Sequence, residues 1–77
     1  MVMVELVKFL VESLVDKPDE VKIDQVPDGD AFVIEVRVAP EDMGKIIGKN
    51  GKIAKAIRTI VKSASQSEKK QYYVKII

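Results

Sequence analysis

An α+β fold with the element order α-β-β-α-α-β is the expectation from three features of this 77-residue sequence. Two runs with a period of two lie on either side of a Pro-Asp-Gly-Asp turn, a third closes the chain, and stretches of helical spacing occupy the rest. One domain spanning residues 1–77, a three-stranded sheet with helices packed on one face, accommodates that order, because 8.6 kDa leaves room for a single core.

The first helix is expected through residues 2–16. Val2, Leu6, Val7, Phe9, Leu10, Val11 and Leu14 form a broad apolar arc, and Glu5, Lys8, Glu12 and Asp16, spaced three, four and four apart, form one wet stripe. Lys8 lies within reach of Glu5 and Glu12, each pair adding about 0.3 kcal/mol. The arc is wider than one packed face needs, which leaves both core burial and contact with a partner open. Pro18 stops the helix, because it disfavours helical geometry at the residue before it.

Val21 and Ile23, with Gln25 as a weaker third, alternate with Lys22, Asp24 and Val26. After the turn at Pro27-Asp28-Gly29-Asp30, Phe32, Ile34, Val36 and Val38 alternate with Val33, Glu35 and Arg37. The two runs read as an antiparallel hairpin. Pro40 suits the first turn of a second helix reaching Ile47, and Glu41 and Asp42 suit the positive end of its dipole. Gly48-Lys49-Asn50-Gly51 breaks it. A third helix follows from Lys52 to Ser65, with Ile53, Ile57, Ile60, Val61 and Ala64 on one side and Lys52, Lys55, Arg58 and Lys62 on another. Residues 65–70 form a polar connection, and Tyr72–Ile77 a terminal strand, with one of Tyr72 and Tyr73 inward and one outward; either ring could stack on bases, but plain packing is expected of both.

Composition narrows the chemistry. Hydrophobic residues at 47% and charged residues at 32% describe a soluble globular chain. Neither cysteine nor histidine occurs, so thiolate chemistry and the commonest general base and metal ligands are missing. No cofactor and no enzymatic activity are expected: the acids of the Asp28-Gly29-Asp30 turn do not match a calcium loop, and no nucleophile–base pair can be assembled. No run of about 18 apolar residues exists to insert into a membrane. The N-terminus has neither a basic leader nor a small-residue cleavage site, so a cytoplasmic location is expected.

Charge is divided along the chain. Residues 1–42 hold four basic and eleven acidic residues; residues 43–77 hold nine basic and one acidic. A cationic segment this dense points to a polyanion such as nucleic acid. The competing reading is that the two halves neutralise each other on folding.

The most informative stretch is Gly44-Lys45-Ile46-Ile47-Gly48-Lys49-Asn50-Gly51-Lys52-Ile53. At a helix–GxxG–helix junction, missing side chains let a backbone phosphate approach the main chain. The helix starting near Lys52 aims its unpaired N–H groups at the loop. Lys49 and Lys52 add charge, Asn50 offers a polar contact, and Lys45 and Lys55 flank the site. Ile46, Ile47, Ile53 and Ile57 supply an apolar groove for unstacked bases, which favours a single strand over a duplex. A tight hairpin at Asn50-Gly51 conflicts with the helical flanks. A P-loop needs four residues between its glycines and Ser or Thr where Asn50 stands. A helix-packing Gly44-xxx-Gly48 would belong in an apolar segment. A purely structural helix–loop–helix is the serious rival, and the stripe of Lys55, Arg58 and Lys62 also reads as a solvated face.

Ile47-Gly48-Lys49-Asn50-Gly51 followed by Ile53 resembles the signature of KH domains, whose GXXG loop clamps about four nucleotides of single-stranded RNA or DNA. The element order resembles the type II form. The size and the run GKNGKIAKAIRTIV are similar to the small bacterial single-domain RNA-binding proteins of the KhpA family. That resemblance covers nearly the whole chain. It implies single-stranded RNA as ligand, a homodimer, a KH-containing partner of the KhpB (Jag/EloR) type, and links to RNA regulation, RNA chaperoning and cell elongation or shape. Lys52 departs from the arginine that many members carry there; it keeps the charge but loses the bidentate fork. The candidate dimer surfaces are the N-terminal helix and the third helix near Ile60 and Val61, the resemblance favouring the latter. The alternative function is a protein-interaction module of KH shape with little RNA binding of its own.

Overall fold

A computed structural model describes residues 3–66, Glu68 and residues 70–77. The expectations at Val2, and at Ser67 and Lys69 of the polar connection, lie outside them. Helix α1 spans Met3–Glu12, four residues shorter than its periodicity implies. Ser13 explains the stop locally: its Oγ donates to the Phe9 carbonyl at 2.7 Å, and the Leu14 N–H turns back to Val11 at 3.0 Å. The N–H groups of Asp16 and Lys17, which a longer helix would need for its own ladder, donate instead to the Asp42 carboxylate. A 3-10 turn at Pro18–Glu20 leads into the sheet.

Strands β1 (Lys22–Asp28) and β2 (Ala31–Arg37) form the antiparallel hairpin. Asp28 pairs with Ala31 across a two-residue connection whose first member, Gly29, has φ +62°, a sign of φ that glycine adopts without strain. Strand β3 (Gln71–Ile76) pairs with β2 in parallel, from Ala31↔Gln71 to Val36↔Ile76. The sheet is mixed, in the order β1-β2-β3, so β3 keeps one free edge. The parallel pairing requires a long crossover, and the two remaining helices provide it: α2 (Met43–Ile47), entered through a 3-10 turn at Pro40–Asp42, and α3 (Lys52–Ser65).

The helices cover one face of the sheet. Val7 and Val11 of α1, Ile34 and Val36 of β2, Ile46 of α2, Ile57 and Val61 of α3 and Val74 of β3 form one buried cluster. Alternation places Lys22, Asp24, Arg37 and Lys75 on the opposite, exposed face. Gln25, the weak third position of the first strand, is exposed. The two tyrosines divide: Tyr72 packs on the core and stacks on Phe32, with ring centroids 5.5 Å apart. Tyr73 is 54% exposed, its hydroxyl donating to Gln71 Oε1, so the plain packing expected of it does not hold. Among the described residues, no helix is long and apolar enough to cross a membrane.

Candidate nucleic-acid interface

The glycine-bearing junction is held in place from behind by Asp42. This carboxylate is 1% exposed, and its two oxygens accept the N–H of Asp16 at 3.2 Å and of Lys17 at 3.0 Å. It therefore ties the α1–β1 connection to the entrance of α2, rather than capping its own helix as the dipole argument expected. Two exposed ion pairs close over the same joint, Lys17 with Glu41 and Lys45 with Asp16. The hydrogen bond from Lys17 holds the Glu41 carboxyl below its ordinary range, and Glu41 holds Lys17 above its own. Asp16 likewise raises Lys45 through their hydrogen bond. Lys45, counted among the site residues from sequence, is thus engaged by an acid of the N-terminal half. Among the described residues, this ion pair joins the two oppositely charged halves at the site. No local pattern announces Asp42, because its partners stand about 25 positions earlier in the chain.

The loop after α2 combines three positive φ values: Gly48 at +74°, Asn50 at +58° and Gly51 at +74°. The Gly48 N–H closes α2 onto Gly44 at 2.8 Å, and the Gly51 N–H returns to Gly48 at 3.3 Å. The two motif glycines have different reasons. A Cβ on Gly48 would stand 2.6 Å from Ile53 Cγ1, so this glycine lets the first turn of α3 pack against the end of α2. A Cβ on Gly51 would meet nothing within 4 Å, so only its left-handed backbone demands glycine, and the space above it is open to a phosphate. Asn50 tolerates the left-handed region better than most residues. No side chain caps α3, and its first N–H, that of Lys52, is taken by the Lys49 carbonyl within the loop. Lys49, Asn50 and Lys52 are exposed, and among the described residues neither lysine is in a salt bridge.

The four isoleucines do not form one groove. Ile46 and Ile57 are 0% and 3% exposed and belong to the core. Ile47, at 40%, presents apolar surface beside the loop, and Ile53 is half-buried over Gly48. The structure supplies two depressions instead, one on each side of α3. Between α3 and the free edge of β3 runs an open cleft of about 640 Å³, with Arg58 and Lys62 on the helix side and Lys70 and Tyr72 on the strand side. Arg58 Nε donates to the Val74 carbonyl at 3.3 Å and joins the two walls. Between α3 and α1 lies a smaller apolar groove of about 380 Å³, lined by Phe9, Leu14, Ile53 and Ile60 among others. Lys55 is exposed on α3. Val61, offered with Ile60 as a dimer contact, is buried and unavailable, whereas Ile60 is exposed. The α3–β3 cleft escaped sequence reasoning, because neither its parallel strand nor its free edge is visible in local spacing.

Comparison with known proteins identifies the family and agrees with the fold. The family model described as "KhpA/KhpB, KH domain" matches residues 4–76. A protein named RNA-binding protein KhpA from Caldanaerobacter subterraneus subsp. tengcongensis is 53% identical over 73 residues, covering 95% of this chain and 97% of its own length. Its namesake from Clostridium perfringens is 52% identical over 75 residues, covering 97% and 100%. A crystal structure of an Aquifex aeolicus Era variant bound to GDP and AlF4− superposes with a TM-score of 0.60 at 23% identity. That match covers 96% of this chain but only 29% of Era, so it speaks to the fold alone.

Proposed function

The chain belongs to the KhpA/KhpB KH-domain family, and we propose that it holds single-stranded RNA by its backbone at the α2–α3 junction. The observation that carries this reading is the loop itself: three positive-φ residues, open space above Gly51, and the exposed cations Lys49 and Lys52 at the start of α3, which no side chain caps. Backbone N–H groups and lysines grip phosphates without reading bases, so binding is tolerant of sequence. Ile47 gives the neighbouring bases apolar surface, and Lys55, Arg58 and Lys62 lead the strand away along α3. Lys45 contributes only in competition with Asp16. The chain acts as a binding module rather than an enzyme, in the cytoplasm.

One such module holds few phosphates, so its affinity is modest and depends steeply on salt. Pairing two modules raises avidity without any new contact to RNA. The α1–α3 groove supports a homodimer, because Phe9, at 69% exposed, together with Leu14 and Ile60 makes an apolar patch that water alone covers poorly. A larger KH-containing protein of the KhpB type is the heteromeric partner, acting with this chain in RNA regulation and cell elongation.

Replacing Lys49 and Asn50 together with Asp tests the loop. Fluorescence anisotropy with a short single-stranded RNA is expected to show binding weakened at least about tenfold, with an unchanged far-ultraviolet circular dichroism spectrum. Equal binding by the variant would remove the loop from the mechanism. It would favour the competing reading, a KH-shaped protein-interaction module that works through its apolar groove.

A further inference from the structure

The cleft between α3 and β3 does not end where the loop's reach ends. Helix α3 carries its cationic side over about 20 Å, and the distal end of the cleft has a different chemistry from the loop. Phe32 and Tyr72 are register partners on the helix side of the sheet, one pair beyond Ile34 and Val74. Ile34 and Val74 are buried, but the two aromatics are only half-buried, because the helices do not cover that last row. Their rings stack at 5.5 Å with an interplanar angle of 25°, and Lys70 Nζ lies 5.1 Å from the Phe32 centroid. Tyr72 faces the cleft, with Lys62 and Lys70 beside it.

We infer that this distal end is a base-stacking subsite: the Tyr72 ring, backed by Phe32, takes one nucleobase of the strand beyond those held at the loop, while Lys62 and Lys70 face its phosphates. The inference rests on the RNA reading of the junction. Aromatic faces beside cations are how single strands are held without regard to sequence. Glu68 decides the orientation. It hydrogen-bonds Tyr72 and, with burial as the larger cause, raises its hydroxyl pKa. An acid at that point repels phosphate and accepts an uncharged base, so the base turns to the tyrosine and the phosphate to the lysines.

The test uses the full chain, fluorescein-labelled oligouridylates of two lengths, one of about four nucleotides that only fills the loop and one twice as long, and three proteins. Tyr72→Leu, which keeps apolar bulk over Phe32, is expected to weaken the longer oligomer about fivefold or more and to leave the shorter one unchanged. Tyr72→Phe is expected to bind both like the wild type. In the wild type, 5-iodouridine at the terminal position of the longer oligomer is expected to photocrosslink to the peptide containing Tyr72; this readout stands even if Tyr72→Leu fails to fold. Equal losses on both lengths, no loss on either, or a crosslink that maps elsewhere would overturn the subsite while leaving the loop reading intact. Wild-type protein that binds neither oligomer would overturn both.

Discussion

The two long sides of α3 differ in what they ask of a ligand. The side toward β3 presents Arg58 and Lys62 over a wide cleft open along a strand edge. The side toward α1 presents Ile53 and Ile60 across a narrower groove that Phe9 and Leu14 complete. Cations spaced three and four apart and isoleucines spaced three and four apart coexist on one 14-residue helix because the two stripes are offset around its axis. On the proposed reading the cationic side takes the RNA strand and the apolar side a second protein, with Lys52 at the border between them. The lesson is that a small domain can present two chemically different surfaces by rotation about one helix rather than by adding chain.

The largest expected effect removes both sides at once. Asp42→Ala leaves the part-buried N–H groups of Asp16 and Lys17 without their acceptor and frees α2 from the α1–β1 connection. A loss of about 2–3 kcal/mol in urea unfolding is expected, with RNA binding and self-association falling together. If one survives intact, the two sides do not share this support. Next comes Gly48→Ala, which drives a methyl group into Ile53 at a positive φ, for about 1–3 kcal/mol by the same measurement. Because Ile53 also lines the α1–α3 groove, this variant disturbs the seam between the two sides.

Ile60→Asp separates them. It puts a charge into the apolar groove about two helical turns beyond Lys52, and light scattering after size-exclusion chromatography is expected to show a monomer. The affinity of each module for a short RNA is expected to stay within about twofold of the wild type, since surface changes away from a site act weakly. A variant that loses RNA while remaining a dimer would reverse the assignment of the two sides.

The smallest effect concerns the exposed pairs behind the loop. The folded-state pKa of Glu41 is depressed, so its pair with Lys17 stabilises above the ordinary carboxylate pKa and is lost as pH falls through the lower folded value. The Lys17 pKa is raised, so its share is present below the ordinary lysine pKa and is lost as pH rises through the higher folded value. Thermal melts at low salt are expected to show a slight loss of stability on acidification that Glu41→Gln reduces and that added salt diminishes in the wild type.

Much of this architecture is legible in local pattern. The third helix is bounded as Gly51 and the polar connection imply, and the hairpin turns where Gly29 permits. What local pattern does not carry is the long-range pairing. Asp42 looks like a helix-dipole acid until the chain brings Asp16 and Lys17 over it, and that contact also shortens the first helix. Ile46, Ile47, Ile57 and Ile60 are alike in sequence; only the placement of the sheet decides that Ile46 and Ile57 are core while Ile47 and Ile60 face out. The distal aromatic end depends on the register of a parallel strand whose partner lies 40 positions earlier in the chain.

The most direct test is an NMR titration of the isotopically labelled chain with a short single-stranded RNA. Amide shifts are expected at Gly48–Lys52 and then along Lys55, Arg58 and Lys62, while Phe9, Leu14 and Ile60 stay in place. Shifts confined to the α1–α3 groove, with the glycine loop unmoved, would contradict the assignment of RNA to the cationic side.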